Sequence, residues 1–472
     1  MMKRLILKFT VLGALLLSVA GCAKEEKPKY LFYFIGDGMG INIVHGTEHY
    51  LAAEKSVDYK DPDSVSFSYF PVMGAINTYS SNSRITDSAA AGTALACGTK
   101  TNQGVIGLDS SLENKLSSVA VTAKERGMGV AILTSVSIDH ATPAAFYAHN
   151  KSRNNYYEIA MDGVTSNFDY FGGSGFKDSE GKKAKGVDVD KNVFDAYSEA
   201  GYTILRGKNE LSKAAASSSK IVVTERADAN QSSFAYEVDR TDKDLKLADL
   251  VESATEYLYN NFKEEGFFMM AEGGMIDWAA HSNDTRAAIG EVIDLDLAVE
   301  VALEFYRKHP NETLILVTAD HETGGYANGY NETGYNLYMT KLDSNLPSID
   351  SYAAEVIASE AEDFDQLPLP GDYQFSQEQL HFLEDKYSEI VKNHRKTSGR
   401  AGMYSKANSE IATIIYRMIS GSAGAGWTTM NHTGSPVPVF AIGPGAQNFA
   451  GHKDNTEIPQ IMKSLLEGHL QN

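Results

Sequence analysis

Aspartate, glutamate and histidine residues recur close to the ends of short apolar runs in this chain. They are Asp37, Glu272, Asp277, His281, Asp320, His321 and His432. Aspartate and histidine together form the mixed oxygen and nitrogen ligand set that zinc accepts, whereas carboxylates alone suit magnesium. Each residue taken singly also fits a turn or a helix cap, so it is their number that indicates a metal centre.

A serine stands at the predicted start of a helix. It is Ser88, in the segment DSAAAGT at residues 87–93. The dipole and the free N–H groups of a helix start favour an alkoxide and a bound phosphate, so Ser88 is a candidate nucleophile. Simple N-capping by an Asp-Ser pair explains the same pattern without any chemistry.

Two further histidines are four residues apart, His45 and His49, with Glu48 beside them. Each could lie on an exposed helix after the first glycine loop. The pattern places no third ligand with them, so we do not expect them to be metal ligands. The loop GDGMG at 36–40 does not fit the dinucleotide-binding fingerprint, which needs a longer spacing into a helix.

Short apolar runs alternate with amphipathic stretches along the chain. The runs predict buried strands at 30–35, 128–134, 267–271, 313–318 and 437–442. The amphipathic stretches predict helices at 115–126, 247–264, 284–308 and 458–465. This alternation predicts an α/β fold with a mostly parallel central sheet flanked by helices. Such a sheet would gather the candidate ligands along one edge, beyond the carboxyl ends of its strands.

Residues 326–426 break this alternation because they are helical and charged. We expect them to form an insertion between two late strands of the main sheet. Residues 30–472 would then be a single domain that carries this insertion.

The N-terminus has the pattern of an export signal. Basic residues precede a short apolar core, and small residues lead to Cys22. The run VAGC at 19–22 resembles a bacterial lipobox, which implies cleavage before Cys22 and lipidation of its thiol. Residues 1–21 would be the signal peptide and 22–29 a charged tether to the cell envelope, on its periplasmic face or at the cell surface. Ordinary signal cleavage without a lipid is the alternative.

The acidic composition excludes some classes of partner. The 472 residues include 42 Lys and Arg against 62 Asp and Glu, a formal net charge of −20. A surface of that sign repels phosphate backbones, so we expect no nucleic-acid binding by a general basic surface. No apolar run reaches the roughly 20 residues of a membrane helix. Cys22 and Cys97 are the two cysteines, too few for a disulfide framework.

Taken together, these motifs resemble the alkaline phosphatase family. The segment at 87–93 is similar to that family's signature, and the resemblance covers roughly residues 30–325 and 427–445. Ten positions follow the order and local context of the family: Asp37, Ser88, Thr142, Arg153, Glu272, Asp277, His281, Asp320, His321 and His432. The resemblance implies hydrolysis of small phosphate monoesters to an alcohol and inorganic phosphate, by a homodimer in which 326–426 corresponds to a variable crown.

The resemblance also implies two zinc ions and one magnesium ion in each subunit. The ligands of the first zinc would be Asp277, His281 and His432. The second zinc would be held by Asp37, Asp320 and His321, with Ser88 as a ligand or near neighbour. The ligands of magnesium would be Asp37, Thr142 and Glu272.

Roles in the reaction follow from the same resemblance. Ser88 would attack phosphorus and form a covalent phosphoserine, which water would then hydrolyse. Arg153 would grip two phosphate oxygens in a fork, and Asp87 would orient its guanidinium. Two zinc ions about 4 Å apart would clamp the attacking and leaving oxygens of an in-line displacement.

Two positions depart from the best-known bacterial members, His140 and Trp278, where those members carry Asp and Lys. The difference bears on the third metal, because an imidazole is a candidate nitrogen ligand and nitrogen suits zinc or cobalt better than magnesium. Alternatively, His140 only hydrogen-bonds to a group that holds the ion.

Two other functions compete with this interpretation. A superfamily relative acting on phosphodiesters, phosphonates or sulfates would usually carry Thr or a modified Cys as nucleophile and lack the clamp that Arg153 supplies. A lipid-anchored protein that captures phosphate without catalysis would lack the nucleophile or the ligands. Ser88 together with Arg153 favours monoester hydrolysis over both.

Overall fold

The computed structural model of the chain describes residues 27–56, 63–225, 232–342, 345–394 and 400–469. The predicted signal peptide, Cys22 and most of the tether lie outside these residues. Within the described ranges, no helix combines the length and the apolar character needed to cross a membrane.

The described residues form fourteen strands. Their bounds are β1 (Tyr30–Gly36), β2 (Val72–Asn77), β3 (Gly129–Thr134), β4 (Tyr170–Gly173), β5 (Tyr202–Arg206), β6 (Lys220–Thr224), β7 (Phe267–Gly273), β8 (Thr313–Ala319), β9 (Glu322–Thr323), β10 (Ala327–Asn328), β11 (Ala425–Gly426), β12 (His432–Thr433), β13 (Val437–Ile442) and β14 (Gly451–Asp454).

Ten of these strands build one central sheet in the order β14-β2-β13-β8-β1-β7-β3-β4-β6-β5. Only β13 runs antiparallel to its neighbours in this sheet, β2 and β8. All seven residues of the central strand β1 are buried, as expected of a parallel strand covered on both faces. The predicted mostly parallel sheet is therefore confirmed.

The described residues also form fourteen α-helices. Their bounds are α1 (Ile41–Lys55), α2 (Ser88–Cys97), α3 (Val119–Glu125), α4 (Ala141–Ala144), α5 (Tyr156–Thr165), α6 (Val193–Glu199), α7 (Ser212–Ala215), α8 (Leu247–Asn261), α9 (Met275–His281), α10 (Thr285–Lys308), α11 (Ile349–Ala358), α12 (Gln377–His394), α13 (Arg400–Ala423) and α14 (Glu457–Glu467).

These helices cover the sheet in packed groups. Helices α8 and α10 contact each other and lie against β7, while α2, α3, α4 and α14 form another group that reaches β3 and β7 through α3 and α4. Helix α3 is shorter than predicted because Ser118 caps it, its Oγ accepting a hydrogen bond from the N–H of Val121 at 3.2 Å.

The predicted insertion at 326–426 is helical, and its helices α11 and α12 both pack on α13. Its two ends meet, since β10 and β11 pair antiparallel with Ala327 opposite Gly426. It lies between β8 and β13, which are neighbours in the sheet.

Candidate metal centre

Three of the candidate ligands lie at one edge of the sheet because their strands are neighbours. Strand β1 pairs in parallel with both β7 and β8, and Gly36 at its end faces Gly273 on one side and Ala319 on the other. Asp37 and Asp320 directly follow β1 and β8, and Glu272 is the last residue but one of β7. These three residues therefore lie together at the carboxyl ends of parallel strands, as predicted.

The loop after β1 holds this edge together. Gly38 has a positive φ of 74°, and a Cβ atom at this position would lie 2.8 Å from the Cα of Asp277. Its N–H donates a hydrogen bond to Oδ1 of Asp320 at 3.1 Å. Glycine is needed here both for the left-handed backbone and for the close approach of α9.

A first metal group consists of Asp277, His281 and His432, which offer ligand atoms within 4.8 Å of one another. The Nε2 atoms of the two histidines are 3.0 Å apart, and Oδ2 of Asp277 lies 3.3 Å from Nε2 of His281. Each imidazole donates its Nδ1 proton to a backbone carbonyl, that of Met430 for His281 and that of Thr86 for His432. The Nε2 lone pairs are therefore left facing one common point.

A second metal group consists of Asp37, Asp320 and His321, all fully buried. Nε2 of His321 lies 3.3 Å from Oδ1 of Asp37 and 3.2 Å from Oδ2 of Asp320. Oγ of Ser88 lies 3.3 Å from the same nitrogen. The candidate nucleophile is thus in direct contact with this group.

A third metal group consists of Asp37, His140 and Glu272, and it shares Asp37 with the second. Nδ1 of His140 faces Oε1 of Glu272 at 3.7 Å, too far for a hydrogen bond, and within the described residues neither atom has a hydrogen-bond partner. The buried hydroxyl of Thr142, two residues after His140, likewise has none among the described residues. Such orphaned polar atoms at this depth fit an ion that would bind them.

The pKa shifts in the three metal groups also indicate that these groups bind cations. Burial, reinforced by the neighbouring carboxylates, raises the pKa of Asp37 and of Asp320 well above the usual range. Burial also lowers the pKa of His321 well below its usual value, and His432 adds to this effect. Burial opposes ionisation of Asp277 too, but the neighbouring imidazoles of His281, His321 and His432 lower its pKa overall. Buried carboxylates so close together need positive charge, which divalent ions would supply.

Ser88 is the first residue of α2, and Asp87 caps this helix. Oδ1 of Asp87 accepts the N–H of Ala90 at 3.1 Å, while Oδ2 accepts the N–H of Gly104 at 3.0 Å. The predicted N-cap is therefore present, and it does not exclude the chemical role, because the hydroxyl of Ser88 is turned to the second metal group.

Arg153 lies between two of the predicted residues. Its Nη1 donates to Oδ2 of Asp87 at 3.3 Å, and its Nη2 lies 3.1 Å from Nε2 of His140. Trp278 packs edge-on against the imidazole of His140, with ring centroids 6.1 Å apart. His140 therefore faces the arginine with one nitrogen and the third metal group with the other.

One contributing residue, Thr323, was not predicted. Its hydroxyl donates to Oδ1 of Asp277 at 2.6 Å and lies 3.2 Å from Nδ1 of His321, so it touches two metal groups at once. It sits opposite His432 in the antiparallel pair of β9 and β12. A polar residue two positions after His321 was the only sequence signal for it.

His45 and His49 lie on α1, outside these three groups.

Comparisons with known proteins agree with this geometry. The sequence model of the alkaline phosphatase family matches residues 28–468. Alkaline phosphatase 4 of Bacillus subtilis is 32% identical over 466 residues, which cover 95% of this chain and 91% of the relative. A cold-active alkaline phosphatase from a psychrophilic Shewanella species superposes with a TM-score of 0.75 at 30% identity, over 93% of this chain and 99% of that one. A histidine-to-aspartate mutant of the TAB5 alkaline phosphatase, from an Antarctic bacterium, has magnesium bound in its M3 site. It superposes with a TM-score of 0.63 at 25% identity, over 94% of this chain and 99% of that one.

Proposed function

The chain belongs to the alkaline phosphatase family of metal-dependent phosphomonoester hydrolases, and we propose that Ser88 is the nucleophile through which it transfers phosphate to water. The observation that carries this proposal is the contact of Ser88 Oγ with His321 Nε2 at 3.3 Å, at the N-terminus of α2. The hydroxyl lies beside the second metal group, where a cation would favour its alkoxide.

We propose that the first and second metal groups each hold one zinc ion, and that Asp37, Thr142 and Glu272 hold magnesium. When bound, such ions neutralise the charge on the attacking and leaving oxygens of phosphoryl transfer. The mixed His and Asp ligands of the first two groups suit zinc, and the buried oxygens of the third suit a hard cation. His140 would join these ligands through Nδ1 only by giving up the hydrogen bond from Arg153, because a neutral imidazole that accepts at Nε2 carries its proton on Nδ1.

Arg153 is the proposed ligand of the transferred phosphoryl group. Asp87 and His140 each engage one of its Nη atoms, which leaves a second N–H on each for a phosphate oxygen. The planar fork thus has a fixed orientation and grips two non-bridging oxygens, which the single ammonium group of a lysine cannot do. Asp87 therefore has two functions, because it caps α2 and orients Arg153.

The proposed substrates are small phosphate monoesters, and the proposed assembly is a homodimer anchored to the cell envelope through a lipid on Cys22. The lipobox-like run VAGC at 19–22 supports the anchor. Membrane fractionation tests it: wild type should sediment with membranes, and Cys22→Ala should be soluble or remain unprocessed. A processed Cys22→Ala protein that stays in the membrane fraction would place the anchor elsewhere.

Phosphoenzyme trapping tests the role of Ser88. Wild-type enzyme mixed with a radiolabelled aryl phosphate and quenched in acid should carry labelled phosphoserine, and Ser88→Ala should carry none while it retains its metal content. Ser81→Ala is the matched control, since this exposed serine precedes the same helix and contacts Asn102 instead. Label at wild-type level on Ser88→Ala would reject the assignment.

A further inference from the structure

A pair of imidazoles on α1 has a geometry that its spacing in the sequence does not reveal. His45 and His49 lie one turn apart, and their Nε2 atoms are 3.2 Å from each other. The ring centroids are 4.4 Å apart, and the ring planes are inclined by 66°. The two nitrogens are therefore close enough to share one proton or one ion.

The ring of His45 is held in place by a carboxylate. Its Nδ1 lies 3.0 Å from Oε2 of Glu48, and Oε1 of the same glutamate accepts a hydrogen bond from Oγ of Ser68 at 2.6 Å. Because Glu48 is buried and fixed by Ser68, it keeps the proton on Nδ1 of His45 and leaves the Nε2 lone pair for another partner. A histidine backed by a carboxylate is the usual arrangement of an imidazole metal ligand.

The distance between the nitrogens fits a metal ion. Bonds of about 2.0–2.1 Å from one ion to two nitrogens 3.2 Å apart enclose an angle of about 100°, between the octahedral and tetrahedral values. We propose that His45 and His49 form a separate binding site for a late first-row divalent ion, such as Cu²⁺, Ni²⁺ or Zn²⁺. The side chain of His45 is 49% exposed, so water can fill the remaining positions of the ion.

An ion at this site would link two successive turns of α1, the helix that begins at Ile41, just after the loop of Asp37. It binds only where the helix is formed, and so it stabilises the folded state. The site is distinct from the three metal groups and does not depend on the proposed catalytic role of Ser88.

Copper binding by the intact enzyme, already loaded with zinc and magnesium, tests the proposal. Wild type should bind one equivalent of Cu²⁺ without releasing zinc, with nitrogen hyperfine structure in its electron paramagnetic resonance spectrum. His45→Ala and His49→Gln should each lose that equivalent and keep full phosphatase activity. Glu48→Gln should bind it roughly 10-fold more weakly. His381→Ala is the matched control, because His381 is an exposed helical histidine beside a glutamate, Glu384, and it should bind as wild type does.

Three results would overturn the proposal. Wild type that takes up no Cu²⁺ beyond its catalytic metals would show that the histidine pair is only a hydrogen bond. Equal uptake by wild type, His45→Ala and His49→Gln would place the copper elsewhere. Loss of binding in His381→Ala alone would assign the ion to α12.

Discussion

His140 stands between Arg153 and Glu272, with Nε2 3.1 Å from the guanidinium and Nδ1 3.7 Å from the carboxylate. One imidazole thereby connects the proposed phosphate clamp to the third metal group. A different ion in that group would therefore change the position of Arg153 through the side chain of His140.

His140→Asp should shift the third metal group towards magnesium. Magnesium prefers octahedral oxygen and keeps its water shell, which a carboxylate can hold and an imidazole cannot. Titration of metal-stripped enzyme with zinc, and then with magnesium or cobalt, should show stronger activation by magnesium than in wild type. The exposed His452→Asp is the control and should behave as wild type. The same third-metal preference in wild type and His140→Asp would mean that His140 does not tune the site.

Arg153→Ala should weaken the binding of phosphate and lower kcat/KM by roughly 10–100-fold, because the fork is lost while the metal groups remain. Inhibition by inorganic phosphate and steady-state kinetics measure both effects. Arg153→Lys should recover little of the loss, since a lysine restores the charge but not the two parallel N–H groups. The exposed Arg126→Ala serves as the control. An unchanged inhibition constant for phosphate in Arg153→Ala would contradict the proposed clamp.

Thr323→Val should weaken zinc binding roughly 10-fold, because it removes the 2.6 Å hydrogen bond that orients Asp277 while it preserves the shape of the side chain. Equilibrium dialysis against a chelator, followed by elemental analysis, measures the affinity. Thr165→Val, at an exposed helix end, should leave it unchanged. If both variants retain zinc equally well, Thr323 has no part in holding the first metal group.

Asp284→Asn should flatten the dependence of stability on pH. Burial raises the pKa of Asp284 from its ordinary value of 3.8 to about 7, although the carboxylate accepts the N–H groups of Ala287 and Ile349. Between these pH values the folded state binds more protons than the unfolded state, so the free energy of unfolding falls as pH rises from about 4 to about 7. The asparagine variant should lack this slope, which is at most about 1.4 kcal/mol per pH unit.

Urea unfolding of the metal-loaded enzyme at pH 5, 6 and 7 measures this slope. Asp372→Asn, an exposed carboxylate in the insertion, is the control and should keep the slope of wild type. Parallel pH profiles for wild type and Asp284→Asn would show that Asp284 is ionised in the folded state throughout this range.

The parts of the site that follow regular periodicity were predictable from the sequence. The apolar run of β1 placed Asp37 at a strand end, and the four-residue spacing of Asp277 and His281 placed both on one helix face. The pairing of Thr323 with His432 was not predictable, because β9 and β12 are only two residues long and carry no hydrophobic pattern. The antiparallel direction of β13 was not predicted either, because the apolar pattern of a buried strand does not indicate its direction in the sheet. The edge strand β14, with the sequence GHKD, is polar and gave no strand signal.

The pairing of Ala327 with Gly426 closes the insertion at its base. Strands β10 and β11 join the two ends of the insertion. The distance between the points where it leaves and re-enters the core is therefore fixed, whatever the length of chain beyond this pair. Each doubling of a flexible segment adds only about 0.6 kcal/mol of closure entropy. Chain added at exposed turns beyond that pair would therefore leave the register of β8 and β13 unchanged, whereas the buried hydrogen bonds of the insertion with Asp284 and Thr285 have to be kept.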